Sequence, residues 1–138
     1  MRKVINKGYT LTVVSWENDG DYYSTHSKTV QTLEEAKVWW EMMQLCKSKS
    51  GNELNLGNSY DGFNKKQIEV ASDFIKKHHK ILVPDDNIEE HNEVDLSYWF
   101  CDIAGELLSR SEDYACRVAE SCVITYSSED IYVEEIKF

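Results

Sequence analysis

Two runs rich in strand-forming residues, Tyr9–Val14 and Tyr22–Val30, flank Asn18-Asp19-Gly20-Asp21, and the second leads into Thr32-Leu33-Glu34-Glu35, a helix-start signal. Asp19-Gly20 suits a tight hairpin. Glycine enters positive φ without a Cβ penalty, and aspartate tolerates it better than most residues. Tyr9, Leu11 and Val13 alternate with Thr10, Thr12 and Val14, the period of two that goes with one buried face. The second run carries Ser24, Thr25, His26, Ser27 and Lys28, a composition suited to a sheet edge or a solvent-facing side.

A chain that opens this way needs helices to cover its apolar face. Thr32 and Glu35 form a capping-box pattern, and Leu33, Ala36, Trp40 and Met43 recur at helical spacing, so the first helix is expected from Thr32 to about Lys47. From Ser48 to Phe63 the composition shifts to glycine, asparagine and serine, with Leu54, Leu56, Tyr60 and Phe63 as apolar anchors; a long connection of this kind is often functional. Asn64 and Gln67 repeat the capping pattern. Ile68, Ala71, Phe74, Ile75 and Leu82 then mark a second helix that ends before Pro84. Beyond an acidic connection, Asp85–Asp95, a third helix is marked by Leu96, Trp99, Phe100, Ile103 and Leu107. Val118–Tyr126 and Ile131–Phe138, separated by Ser127-Ser128-Glu129-Asp130, make a second hairpin. The expectation is an α+β fold: an antiparallel sheet of about four strands, built from N-terminal and C-terminal hairpins, with about three helices on one face.

At 138 residues, with four tryptophans, eight tyrosines and four phenylalanines, the chain has the size and the apolar material of one domain spanning residues 1–138. Its four cysteines, Cys46, Cys101, Cys116 and Cys122, lack a paired C-x-x-C spacing and read as reduced, mostly buried thiols. No apolar run approaches the roughly 20 residues of a membrane span, and Met1-Arg2-Lys3 is not followed by the apolar stretch of a secretion signal. A cytoplasmic location is expected. The net charge of −10 opposes direct binding to nucleic acid or to an anionic membrane and favours electropositive protein partners.

Groups that could carry chemistry have plain explanations close at hand. His78, His79 and His91 flank Asp85, Asp86, Glu89, Glu90 and Glu93, but adjacent helical histidines point about 100° apart and cannot share one ion without distortion. A solvated helix end beside an acidic loop accounts for them. Lys76, Lys77 and Lys80 complement the partial negative charge of a helix C-terminus. Glu17 to Asp21 lacks the register of a calcium loop, His26 has no second element of the phosphoesterase type, and Cys116 or Cys122 would need a histidine brought near in space. Trp39-Trp40 reads first as core and flank packing, with an exposed binding anchor as the alternative. Two adjacent helical positions cannot both point to the centre of one face, so at least one ring lies at a boundary, where tryptophan is a frequent interface anchor.

The stretch Tyr9–Asp21, with Lys28-Thr29-Val30 and Glu34-Glu35-Ala36-Lys37 after it, resembles small uncharacterised early proteins of T4-like bacteriophages. That resemblance covers about a quarter of the chain and brings no catalytic residue. It implies a product of the bacterial cytoplasm that modulates host machinery. The reading that follows is a small acidic, non-enzymatic protein-binding factor acting on a host protein, without cofactor or metal. Its contact residues are expected at Trp39, Trp40, Leu54, Leu56, Tyr60 and Phe63. Two alternatives stay open: a metal- or nucleotide-dependent hydrolase using His78, His79 or His91, and a DNA-mimicking inhibitor whose carboxylate array would be interrupted by lysines.

Overall fold

Strand alternation and capping signals translate directly into the elements of a computed structural model, which describes residues 8–17, 23–47, 64–82, 88–108, 117–127 and 133–137. They are β1 (Gly8–Glu17), β2 (Tyr23–Val30), α1 (Leu33–Leu45), α2 (Lys65–Leu82), α3 (Glu93–Leu108), β3 (Arg117–Ser127) and β4 (Val133–Ile136), with a short 3-10 turn at Ile88–Glu90 before α3. The strands form one antiparallel sheet in the order β2-β1-β3-β4. The expected α+β architecture is therefore present, with β2 at an edge as its polar composition suggests. The Asn18–Asp21 turn, the Ser48–Phe63 connection and positions 128–130 of the C-terminal turn lie outside the described residues, as do Asp85, Asp86 and Cys116.

The two hairpins join through the central pair. Leu11 of β1 stands between Lys28 of β2 and Ile124 of β3, and Val13 stands between His26 and Cys122. These positions share the face the helices cover, where Leu11, Val13 and Ile124 are almost wholly buried. The register then slips: Val14 opposes Ser121, but Ser15 opposes Ala119, leaving Glu120 as the extra residue of a bulge. Past the bulge, Ser15 and Ala119 still face inward and are buried. The Ala119 amide donates 3.0 Å to the Cys46 carbonyl at the end of α1, so the irregular strand pins the helix terminus. At the start of β1, Gly8 has φ 125°, and a Cβ there would lie 2.7 Å from the Val30 carbonyl oxygen, so the site requires glycine.

Each helix starts on a side-chain cap. Thr32 Oγ1 accepts from the Glu35 amide at 3.2 Å, one half of the expected box. Asn64 and Gln67 make both halves, each side chain accepting from the other's amide at 2.9 Å. Asn92, which the sequence reading did not single out, caps α3 by accepting from Asp95 at 2.8 Å. Glu34 and Glu35 in the first turn of α1, and Glu93 and Asp95 in that of α3, complement the positive helix ends.

The expected α1 stripe is kept in half: Ala36 and Met43 are buried, whereas Leu33 is 41 % exposed and Trp40 only half-buried. Trp39, Met42 and Cys46 complete the buried side of a helix that packs on β1 and β3. Cys46 and Cys101 are buried and Cys122 half-buried, none of the three in a disulfide. Burial pushes the Cys122 thiol up to about 12, with Lys47 pulling weakly the other way, so it has no thiolate character near neutral pH. Among the described residues no helix is long and apolar enough to cross a membrane.

Replacing Asn64 with alanine removes the half of the α2 box in which Asn64 Oδ1 accepts from the Gln67 amide, while the backbone amide at position 64 can still donate to Gln67 Oε1, and should lower stability by about 1 kcal/mol. Urea titration reads this as a lower midpoint at unchanged slope. An unmoved midpoint would show that the start of α2 is held by something else.

Candidate functional site

The helices do not form one continuous layer. α1 packs on the sheet, mainly on β1 and β3, whereas α2 packs chiefly on α3 and meets α1 only lightly. Between α1 and α2 this leaves an open groove of about 370 Å³, lined by Trp40, Glu41, Gln44 and Leu45 from one helix and Phe74, Lys77 and His78 from the other. The spacing explains the membership. Positions four apart, Trp40 with Gln44 and Glu41 with Leu45, stack along one side of α1, and Phe74 and His78 do the same on α2.

The two tryptophans divide as their positions dictate. Trp39 is 6 % exposed, part of the core, with Lys28 Nζ 4.5 Å from its ring centroid. Lys28 also approaches Glu106 of α3 at 3.6 Å, so one side chain links the edge strand to two helices. Trp39, expected as a contact residue, spends its ring on packing. Trp40, one position on, presents its ring to the groove. Leu54, Leu56, Tyr60 and Phe63 lie outside the described residues.

His78 is where the structure departs most from the reading of a solvated helix end. Its backbone, φ −118° and ψ 17°, leaves the helical region and kinks α2. Its ring lies 4.7 Å from that of Phe74, tilted at 55°, and Phe74 in turn meets Phe100 edge-on at 5.7 Å. His78 Nε2 is 3.7 Å from Glu41 Oε2, with the two side chains 14 % and 37 % exposed. That distance is too long for a hydrogen bond. His78 Nε2 and His79 Nδ1 are both buried without a hydrogen-bond partner, a cost that buried polar atoms seldom carry.

Burial holds the His78 imidazole below its ordinary value of 6.5, against the upward pull of Glu41 and of Glu34, while Lys77 adds to the depression. The ring is therefore neutral at neutral pH. Its approach to Glu41 is a polar contact rather than an ion pair.

These side chains are suited to binding. Trp40, Leu45 and Phe74 supply apolar surface; Glu41, Gln44 and Lys77 supply polar groups. Among the described residues that line the groove there is no serine, threonine or cysteine for the imidazole to activate. His91, grouped with His78 and His79 in the sequence reading, instead stacks on Trp99 at 4.4 Å. Among the described residues no group of three or more His, Cys, Asp and Glu side chains is placed to hold a metal ion. Leu45, Gln44 and Phe74 escaped the sequence reading as site residues, although the four-residue spacing of Phe74 and His78 was visible. A smaller apolar pair, Val94 and Tyr98, stands on α3, 44 % and 63 % exposed.

The chain matches no family model, no curated protein and no solved structure.

The depressed His78 pKa sets the sign of a pH dependence. An imidazole that binds its proton less readily in the folded chain contributes stability that is full above 6.5 and is lost as pH falls from there toward the folded value. Denaturation of wild type and His78→Gln over about pH 5 to 8 should show the wild type losing stability more steeply on the acid side. Parallel curves would mean that His78 titrates alike in both states.

Proposed function

We propose that this chain is a non-catalytic protein-binding factor that seats an apolar anchor side chain of a basic host protein in the groove between α1 and α2. The observation that carries this reading is Trp40, half-buried against Leu45 and Phe74 in an open groove instead of being packed away like Trp39. A volume of about 370 Å³ accommodates a large side chain and its flanks rather than an extended ligand. Aromatic side chains at the margin of an apolar pocket are the usual hot spots of protein interfaces.

Charge supports the choice of partner. A net charge of −10 raises the encounter rate with a basic surface and disfavours acidic ones. The resemblance of the Tyr9–Asp21 region to phage early proteins supplies the setting, a bacterial cytoplasm in which the partner is a host protein. In this reading Leu54, Leu56, Tyr60 and Phe63, which follow α1 in sequence, add to the contact.

Affinity purification from bacterial lysate should recover one stoichiometric partner. Trp40→Ala should weaken its binding by about 2 kcal/mol, roughly thirtyfold in Kd, while leaving the far-UV spectrum unchanged. Tyr60→Ala and Phe63→Ala test the adjoining segment. Full retention of the partner by folded Trp40→Ala would refute the groove as the contact, and repeated recovery of the chain alone would refute the function.

A further inference from the structure

Inside the groove between α1 and α2, two polar groups stand close together without bonding. Trp40, Leu45 and Phe74 supply the apolar surface, and His78 and Glu41, one from each helix, stand among them. His78 Nε2 is buried without a hydrogen-bond partner among the described residues, and Glu41 Oε2 is 3.7 Å away, beyond hydrogen-bond reach. A buried polar atom left in this way costs free energy that a bonding group entering the groove recovers.

We infer that the anchor seated in this groove is a tyrosine, with its ring against Trp40, Leu45 and Phe74 and its hydroxyl between Glu41 and His78. This deepens the proposed function and rests on it, since the groove must first be where the partner docks.

Three features select a phenol. The first is hydrogen-bonding capacity. A hydroxyl both donates and accepts, so one oxygen can accept from His78 Nε2–H and donate its own proton to the Glu41 carboxylate. Two atoms 3.7 Å apart can each lie about 2.8 Å from that oxygen, within the ordinary range. An indole N–H could serve Glu41 but would leave Nε2–H without an acceptor, and a phenylalanine would serve neither. Glu41 is the more exposed member of the pair, so a rotation of its side chain gives the hydroxyl access to Nε2.

The second is protonation. The adjacent carboxylate favours the neutral tautomer that carries its proton on Nε2. Desolvation holds the ring neutral at neutral pH, so the pair offers one donor and one charged acceptor. The third is charge. Glu41 on α1 and Lys77 on α2 bring opposite charges to the two walls. A cationic tip would gain from one and be opposed by the other, and a carboxylate likewise, whereas a neutral hydroxyl meets neither objection. The basic character of the partner then belongs to the residues around the anchor, where the net charge of −10 acts at longer range. A space of about 370 Å³ takes a phenol ring lying against the three apolar side chains. Tyrosine suits interfaces through this combination of apolar body and polar tip.

Two small probes separate the hydroxyl from the ring: p-cresol, the side chain of tyrosine, and toluene, that of phenylalanine. Titrated into the full chain at neutral pH and followed by NMR, p-cresol should shift the Trp40 indole and His78 ring signals and bind at least about tenfold more tightly than toluene. The ring nitrogen signals of His78 in the bound chain should be those of the Nε2–H tautomer. In Glu41→Leu, confirmed as folded by circular dichroism, the preference should fall to about twofold or less with toluene binding retained, and Trp40→Ala should weaken both probes. Equal affinity for the two probes, a preference that survives in folded Glu41→Leu, or tighter binding of methylguanidinium, the tip of arginine, would overturn the tyrosine assignment while leaving the groove as the contact. A chain that binds neither probe would also overturn it. Full retention of the partner by folded Trp40→Ala, the result that refutes the groove itself, is read independently in the lysate experiment.

Discussion

The antiparallel pairing of β1 with β3 is the constraint on which everything else rests. Each hairpin alone would be a two-stranded ribbon of marginal stability in water. Joined through β1 and β3, they become a four-stranded sheet whose inner face, centred on Leu11, Val13 and Ile124, is wide enough to anchor α1 and α3. The partners are more than a hundred positions apart in sequence, so the contact carries a large loop-closure cost that helix packing must offset. Lys28, over Trp39 and beside Glu106, and the Ala119 amide, bonded to the Cys46 carbonyl, fasten the helices to the sheet at two separate points.

The groove is a consequence of how these attachments are distributed. α1 is committed to the sheet and α2 to α3, so their facing stripes are not driven fully together. Trp40, Leu45 and Phe74 remain partly exposed as a result. The same geometry buries His78 and His79 on polar atoms without partners and kinks α2 at His78. Groups held at such a cost tend to lie at sites of use, because packing optimised for stability alone would replace them with apolar side chains.

The surface divides along the same lines. The apolar, aromatic groove lies between helices and is flanked by charges of both signs. The opposite side of the molecule is the outer face of the sheet, where Thr10 and Thr12 of β1 pair with Thr29 and Ser27 of β2.

Local signals by themselves determined the elements. The alternation of Tyr9 to Val14, the Asn64–Gln67 box and the stripe through Leu96, Phe100 and Leu107 are local patterns whose physics acts within a few residues, and the elements stand where those patterns place them. The polar make-up of β2 also marked it as an edge, since a central strand could not leave so many polar side chains on its covered face. Adjacency in space was decided only by the tertiary structure. The helical pattern placed Trp40 in the apolar stripe of α1, but contact with the sheet chose Trp39 for the core and left Trp40 to the groove. His78 read as part of a solvated helix end because nothing near it in sequence announces Glu41, from the preceding helix, beside its ring. Propensity and capping are short-range forces that a linear reading can sum, whereas burial and electrostatic environment depend on which distant elements meet.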